Sequence, residues 1–417
     1  MANFEYQFAG QLNVPGAMLY NGREASYPIY ESCSTLHGET YTNSISLGDV
    51  DDTWSVLPGY KIIVYQHSNF SGTSFQVDNT NGSVAKYHKS STPNDASSVK
   101  LFYKNIELNY SIPDFAIIGG YRLVQDANDS NYTFLHIITN ASFKYNGSNN
   151  ITDVPILIVG GGGGGGGDGG VQGGGGGGAG EVGMGALDEI RQGLFYNITI
   201  GSGGTSHETT GYSTIISEET TAGSSEYTNI VEVYGGGRGQ DNDNSTQITG
   251  GSGGGGSGKA GSGYENRIKG DTTASPSRST SGFNNITFFR NSGGKGGTES
   301  GNRGGGGGGG AGGAGGNAGG WEGGNGGSGK TWTYNPSNNE FGNNGSYGGG
   351  GAGQGVNGYT NHNYTTSGGG GKGNKGGDAN TGGGGSAIQD SDNVSSTRGG
   401  SGIVIFRIPN DILYNKN

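Results

Sequence analysis

Val154-Pro155-Ile156-Leu157-Ile158-Val159 runs without a break into eight consecutive glycines, Gly160 to Gly167. Far downstream, Gly399-Gly400-Ser401-Gly402 runs straight out into Ile403-Val404-Ile405-Phe406-Arg407-Ile408-Pro409. Both apolar stretches are short and β-branched, the composition of a buried strand. One leads into glycine and the other leads out of it. We therefore expect the two strands to pair, which would make everything between them one folded insertion rather than a tail.

Glycine in bulk usually makes a flexible linker, because it loses the most backbone entropy on ordering. One regular alternative exists. A glycine chain can take the left-handed, three-residue helix of polyproline II type, with no internal hydrogen bonds. Its amides then point outward in three directions and find partners when such rods stack, helped by weak Cα–H···O contacts. Collagen is excluded, because there is no strict Gly-X-Y period and almost no proline among the runs. The runs are 160–180, 250–258, 304–320, 323–329, 348–355, 368–377 and 382–385, separated by polar or aromatic inserts. At roughly 3.1 Å per residue, a rod of about nine residues would span roughly 28 Å.

Disorder is the competing reading of such a composition. Against it stand strand-like segments threaded through the glycine: Phe195–Ile200, Ser213–Ile216, Asn229–Tyr234 and Asn285–Phe289. Each is β-branched or aromatic and ends in or near glycine. A linker has no reason to place them there. The single helix candidate is Ala186-Leu187-Asp188-Glu189-Ile190-Arg191-Gln192, stopped by Gly193.

A chain of 417 residues is long enough for two or three domains. Few glycines occur before Gly160, so the N-terminal part must hold most of the ordinary hydrophobic core. The glycine part must rely on backbone hydrogen bonds. The net charge is −11 and the basic residues do not cluster, which argues against a nucleic-acid surface. Cys33 is the one cysteine, so no intrachain disulfide can form. The start, Met1-Ala2-Asn3-Phe4-Glu5, lacks a basic region and an apolar core, and no stretch approaches the roughly 20 apolar residues of a membrane span. Synthesis and retention in a cytoplasm, without membrane insertion, is the expectation.

Residues 14–104 alternate as short antiparallel strands do. In Gly59–Val77, Tyr65 and Phe70 flank a tight turn, and Gly72 stands where the backbone must fold back. Ser97-Ser98-Val99-Lys100-Leu101 follows as another strand. This resembles the Greek-key motif of the βγ-crystallins: an aromatic, a short hairpin, aromatic-x-Gly, then a serine closing over the hairpin. A weaker copy is Tyr30–Gly38, followed by Asp51-Asp52-Thr53-Trp54-Ser55. Two copies imply one crystallin-like sandwich over about 90 residues. Some members of that family hold calcium through an acidic pair ahead of a Ser/Thr. Asp51, Asp52 and Ser55 fit that pattern, while Asn94 and Ser97 form a second half that is one residue short. The same residues equally serve as turn caps, since one half-site offers too few oxygens for calcium.

Strands are also expected at Phe115–Ile118, Tyr121–Val124, Tyr132–Ile138 and Ala141–Tyr145. From about 117 to 408 the chain is similar to the glycine-rich domain of phage tail-fibre and giant-virus structural proteins. The residues that carry the likeness are Gly120-Tyr121-Arg122, Ile156–Val159 entering polyglycine, Asn197-Ile198-Thr199-Ile200-Gly201 and the closing Gly400-Ser401-Gly402-Ile403-Val404-Ile405. Long polar inserts such as 263–283 depart from it. The resemblance implies polyglycine helices and a structural or adhesive role in a virus particle.

Gly324-Asn325-Gly326-Gly327-Ser328-Gly329-Lys330-Thr331 matches the phosphate-binding P-loop pattern, but it lacks the preceding strand and following helix that the mechanism needs. The six histidines are scattered, and no metal or catalytic spacing occurs among them. Trp321, Trp332, Tyr334, Phe341, Tyr347, Tyr359, His362 and Tyr364 lie in the inserts between glycine runs. They either form an exposed surface that stacks on sugar or meets protein, or they cap the rod ends against water.

The resulting expectation is an all-β chain: a crystallin-like sandwich over 1–104, a strand region over 105–159, polyglycine rods over 160–409 and a tail over 410–417. It is expected to be no enzyme and to need no cofactor beyond the calcium candidate. The expected role is a surface or vertex spike or fibre component of a large DNA virus. Its partners would be other virion proteins or its own copies, with a trimer as one arrangement, and a host-surface glycan or protein. A soluble lectin-like or ice-binding protein is the alternative.

Overall fold

The computed structural model describes residues 17–21, 25–29, 52–67, 69–89, 98–103, 106–107, 115–126, 128–167, 173–206, 209–219, 228–241, 250–258, 286–297, 303–334, 345–356, 367–388 and 397–413. The chain forms two compact units: Met1–Gln125 with Asn410–Asn417, and Asp126–Pro409. The division thus falls at Gln125, and the strands from 126 to 159 belong with the glycine.

The first unit carries β1 (Ala17–Asn21), β2 (Ala25–Ile29), β3 (Asp52–Val56), β4 (Tyr60–His67), β5 (Ser71–Asp78), β6 (Lys86–Lys89), β7 (Ser98–Tyr103), β8 (Ile106–Glu107) and β9 (Phe115–Gln125). β9 is one strand where the sequence reads as two, Phe115–Ile118 and Tyr121–Val124. Two four-stranded sheets run in the orders β2-β1-β3-β6 and β5-β4-β7-β8. Their inner residues alternate along the strands, as a half-buried sheet requires. Ala17, Trp54 and Val56 from one sheet form a single core with Ile62, Val64, Val77, Val99 and Leu101 from the other. The hairpin between β4 and β5 turns through Asn69 and Phe70, both at positive φ, and Gly72 follows at φ +81°. Ser98 ties this hairpin down: Phe70 N–H donates to its Oγ at 3.0 Å, and the hydroxyl donates to the His67 carbonyl at 2.7 Å.

The second unit carries β10 (Tyr132–Tyr145), β11 (Ile151–Val159), β12 (Val182–Ile190), β13 (Phe195–Thr199), β14 (Thr214–Glu219), β15 (Thr228–Val233), β16 (Thr287–Phe289), β17 (Lys330–Thr331), β18 (Ser346–Tyr347) and β19 (Ile403–Pro409). β10 fuses the two expected strands Tyr132–Ile138 and Ala141–Tyr145. Eight antiparallel strands, in the order β15-β14-β13-β10-β19-β11-β12-β16, curl into a nearly closed barrel-like sheet. β11 and β19 pair as expected, with Ile156 opposite Phe406 and Val159 opposite Ile403. The expected helix at 186–192 is instead the end of β12. Leu187 and Ile190 are buried three residues apart, a helical spacing, but they face Val154 and Ile151 across an antiparallel ladder. Asp153, at φ 53°, interrupts the alternation opposite them. The need of β11 for a partner on its second edge outweighs the weak helical preference of seven residues. Gly193 does turn the chain there, at φ +78°.

The rods leave the sheet where its strands end, and their pairing follows a three-residue period. The N–H groups of Gly160, Gly163 and Gly166 donate to the carbonyls of Glu181, Gly178 and Gly175. Those of Gly161 and Gly164 donate to Tyr212 and Thr209, and those of Gly162 and Gly165 to Gly400 and Thr397. Descending acceptor numbers mean that all three of these neighbours run antiparallel. The carbonyls of the same rod receive N–H groups from Gly204, from Gly236 and Gly239, and from Gly385 and Ile388. One rod is thereby ringed by others, with no side chain needed for the contact. Rods 173–181 and 303–311 repeat the arrangement: Gly173, Gly176 and Ala179 donate to Arg303, Gly306 and Gly309. Glycine is what permits this spacing. A Cβ built on Gly163 would stand 2.1 Å from the Gly237 carbonyl oxygen.

Several rods escape the reading of glycine runs. Segments 201–206, 209–213, 234–241, 291–297 and 397–402 are interrupted by Ser, Thr, Tyr, Lys or Arg, yet they take places in the stack. A rod presents only some of its residues inward, so the remaining positions tolerate side chains.

Candidate interaction surface

Two of the aromatic residues expected at a common tip are buried. Trp332, 3% exposed, packs edge-on against Phe134 of β10, with ring centroids 5.7 Å apart. Tyr347 on β18 is 1% exposed, and burial pushes its phenol well above the usual range. Neither can present a face to a partner. The pairing of β17 with β18 turns them inward, which corrects the expectation of a shared binding face that includes them. Tyr334 remains 41% exposed and meets the Trp332 ring at 5.7 Å. Trp321 sits elsewhere, in the turn where Gly319 and Glu322 exchange N–H···O bonds, and its carbonyl accepts the Val356 N–H. Tyr359 and Tyr364, like Phe341 and His362, lie outside the described residues.

The most organised polar constellation is one that sequence reasoning did not single out. Arg407 lies directly across from Phe134 in the β10–β19 ladder. Its guanidinium carbon stands 3.6 Å from the Tyr132 ring centroid and 4.9 Å from that of Tyr334. Nε donates to Asp126 at 2.8 Å, and an Nη donates to Asp129 at 3.1 Å. Burial alone would pull the Arg407 guanidinium down, but the hydrogen bonds to these carboxylates outweigh it and leave the pKa raised. Asp129 is held below the usual carboxylate range, chiefly by the Asn131 N–H and then by Arg407. The signal in the sequence was a lone arginine inside an apolar strand, with Asp126 and Asp129 available as its counter-charges. A buried arginine needs such partners. Both carboxylates are already occupied by Arg407, so this turn offers no open cation site.

Of the calcium candidates, Asp51, Asn94 and Ser97 lie outside the described residues. Asp52 opens β3 opposite Asn21, and Ser55 is buried within the same strand. Among the described residues, no three His, Cys, Asp or Glu side chains converge as a metal site. In the P-loop-like stretch, Gly324 and Gly327 give their N–H groups to the Gly305 and Gly308 carbonyls. Those donors are spent on rod packing, and the two-residue strand β17 stands where the mechanism requires a helix.

At the end of the stack remote from the sheet, the described residues bring together the flanks of several inserts. Gly173 donates its N–H to the Arg303 carbonyl there and accepts the Gly258 N–H, and Gly167 bridges Ile388. The rods therefore carry residues on both sides of segments 168–172, 298–302 and 389–396 to one end of the rod stack.

Neither a curated protein nor a solved structure matches the chain. The sequence profile of the glycine-rich domain family matches residues 138–409, from within β10 to the last residue of β19. This range takes in the clasp strands and every rod described above, and the chain belongs to that glycine-rich domain family.

Proposed function

We propose that this chain is a non-enzymatic structural protein of a virus particle, a surface or vertex spike or fibre component of a large DNA virus. The observation that carries the reading is the bundle of rods closed by β11 and β19. Its rods are hydrogen-bonded to one another through their backbones, and they gather insert flanks at the end away from the sheet. A scaffold of this kind sets loop attachment points away from its sheet, which is what attachment to a host surface needs. The protein would be made in the host cytoplasm and displayed on the virion. It would assemble there with other particle proteins or with its own copies, and meet a host glycan or protein.

The first unit is read here as a βγ-crystallin-like module. In support, β6 follows β5 in sequence but joins the opposite sheet, and Ser98 closes over the β4–β5 hairpin beside Gly72. Mass spectrometry of purified particles, with antibody labelling of intact ones, tests the role. Enrichment in particles and labelling at the surface are expected. Absence from particles, or deletion without change in particle composition and host attachment, would overturn it. A soluble carbohydrate-binding protein is the second reading, favoured by the exposed Tyr334 against Arg407. A glycan array separates the two.

A further inference from the structure

Inside the rod stack, glycine follows a rule of position. Where the carbonyl of one residue accepts from a neighbouring rod, a Cβ on the residue before it would strike that same rod. The Gly164 carbonyl accepts the Gly239 N–H, and a Cβ on Gly163 would lie 2.1 Å from the Gly237 oxygen. The Gly177 carbonyl accepts from Gly351, and a Cβ on Gly176 would lie 2.0 Å from the Gly351 oxygen. The Gly308 carbonyl accepts from Gly327, and a Cβ on Gly307 would lie 1.8 Å from the Asn325 oxygen. A Cβ and the carbonyl that follows it thus look at one neighbour, and a rod in that place demands glycine.

Rod 312–320 has such glycines with no rod in front of them. Gly313 and Gly316 precede Ala314 and Asn317, whose carbonyls accept no hydrogen bond among the described residues. A Cβ on Gly316 would first meet the Asn325 nitrogen, at 3.0 Å, and one on Gly313 the Ser328 hydroxyl, at 2.9 Å. Both of those residues belong to rod 323–329, which lies alongside: Gly316 donates to the Asn325 carbonyl and Gly312 to that of Ser328. The N–H groups of Asn325 and Ser328 carry no hydrogen bond among the described residues. Ala314, Asn317, Asn325 and Ser328 are all exposed. The two rods therefore wall a vacant rod position. One wall offers carbonyls backed by glycine, and the other offers amides.

We propose that this position is filled by rod 312–320 of a second copy of the chain, entering antiparallel. That rod carries the complementary groups. It donates in three directions: Gly315 and Ala318 to Ser292 and Lys295, Gly316 to Asn325, and Ala314 and Asn317 outward with no acceptor among the described residues. In the antiparallel arrangement the open N–H groups of Ala314 and Asn317 meet the carbonyls of Asn317 and Ala314 in the other copy. The entering rod's own carbonyls at those two residues, again preceded by Gly313 and Gly316, turn toward the amides of Asn325 and Ser328. No charged side chain stands at these four exposed positions to oppose the approach. Donors of one copy meet acceptors of the next, so the contact is heterologous and repeats into a filament or a ring. It supplies the self-assembly contact of the fibre role and rests on that reading for its purpose alone. Association of the purified chain is measured without particles, so the two fail separately.

The test is sedimentation of the full chain over a range of concentrations up to about 1 mM, with residue-resolved amide exchange at each end of the range. Species larger than the monomer should grow with concentration. The amides of Ala314, Asn317, Asn325 and Ser328 should exchange freely in dilute solution and slow about tenfold or more as the chain associates. Gly313→Ala puts a Cβ into the vacant position and meets within its own chain only the Ser328 hydroxyl, which can rotate away. It should weaken association about tenfold or more. A chain that stays monomeric throughout, association that leaves those four amides fast, or a folded Gly313→Ala that associates as strongly as the parent would overturn the proposal. If Gly313→Ala does not fold, amide exchange in the parent decides.

Discussion

Gly163 donates its N–H to the carbonyl of Gly178 at 2.8 Å, between rods that run in opposite directions. The relationship recurs three residues on in each direction, at Gly160 with Glu181 and at Gly166 with Gly175. Each such bond contributes only about 1 kcal/mol net. Its loss inside the stack costs more, because the orphaned group is shielded from water. Stability in this unit is therefore spread over backbone groups, and the absence of a Cβ is what keeps those groups within reach.

Gly163→Ala should accordingly be severe. Its Cβ would stand 2.1 Å from a carbonyl oxygen in a neighbouring rod, and backbone cannot swing aside as a side chain can. We expect a loss of about 3 kcal/mol or more, or failure of the second unit to fold. Gly319→Ala, with nothing within 4 Å, should stay within about 0.5 kcal/mol of the parent. Denaturant unfolding of the two variants checks the contrast. Equal effects would mean that the rods are not closely packed.

Amide exchange should show the three-residue period directly. In the outer rod, Gly315 and Gly316 donate to Ser292 and Asn325, whereas the N–H groups of Ala314 and Asn317 carry no hydrogen bond among the described residues. Residue-resolved exchange should find the first pair slow and the second pair fast. Uniformly fast exchange would fit a disordered chain instead.

Arg407→Ala should destabilise the second unit by about 3 kcal/mol, because Asp126 is left buried without its cation. Arg407→Lys should recover only part of this, since an ammonium cannot reproduce the guanidinium's fork and stacking. Thermal unfolding checks both.

Acid should act through Asp129. Its folded pKa lies below the ordinary value of about 3.9, so it stabilises the fold above that pH. The contribution is lost as pH falls through the lowered folded value. Asp129→Asn should therefore flatten stability against pH in the window below about pH 4, and leave the slope near neutrality unchanged. Urea midpoints measured from pH 7 to pH 2 give the comparison.

In the first unit, Ser98→Ala removes both bonds that tie the β4–β5 hairpin, at about 1–3 kcal/mol. Gly72→Ala adds a strained φ of +81° and a contact of 2.7 Å with the His67 ring. Each should lower the unfolding midpoint, and the two together should not add fully, since they loosen the same turn.

The sequence by itself determined the strands and the clasp. Ile156–Val159 and Ile403–Phe406 are apolar on both faces, so each had to be a buried strand, and their places at the two ends of the glycine made them partners. The rods were legible for a related reason: long glycine runs flanked by strands have few ordered options. Tertiary structure alone decided which rod neighbours which. A glycine has no side chain to encode a partner, and every rod presents the same amides every three residues. It also decided that 186–190 is strand, because an open edge of β11 outweighed a short helical spacing. Trp332 and Tyr347 are buried for a reason no local pattern carries, namely that β17 and β18 fold their segment against Phe134.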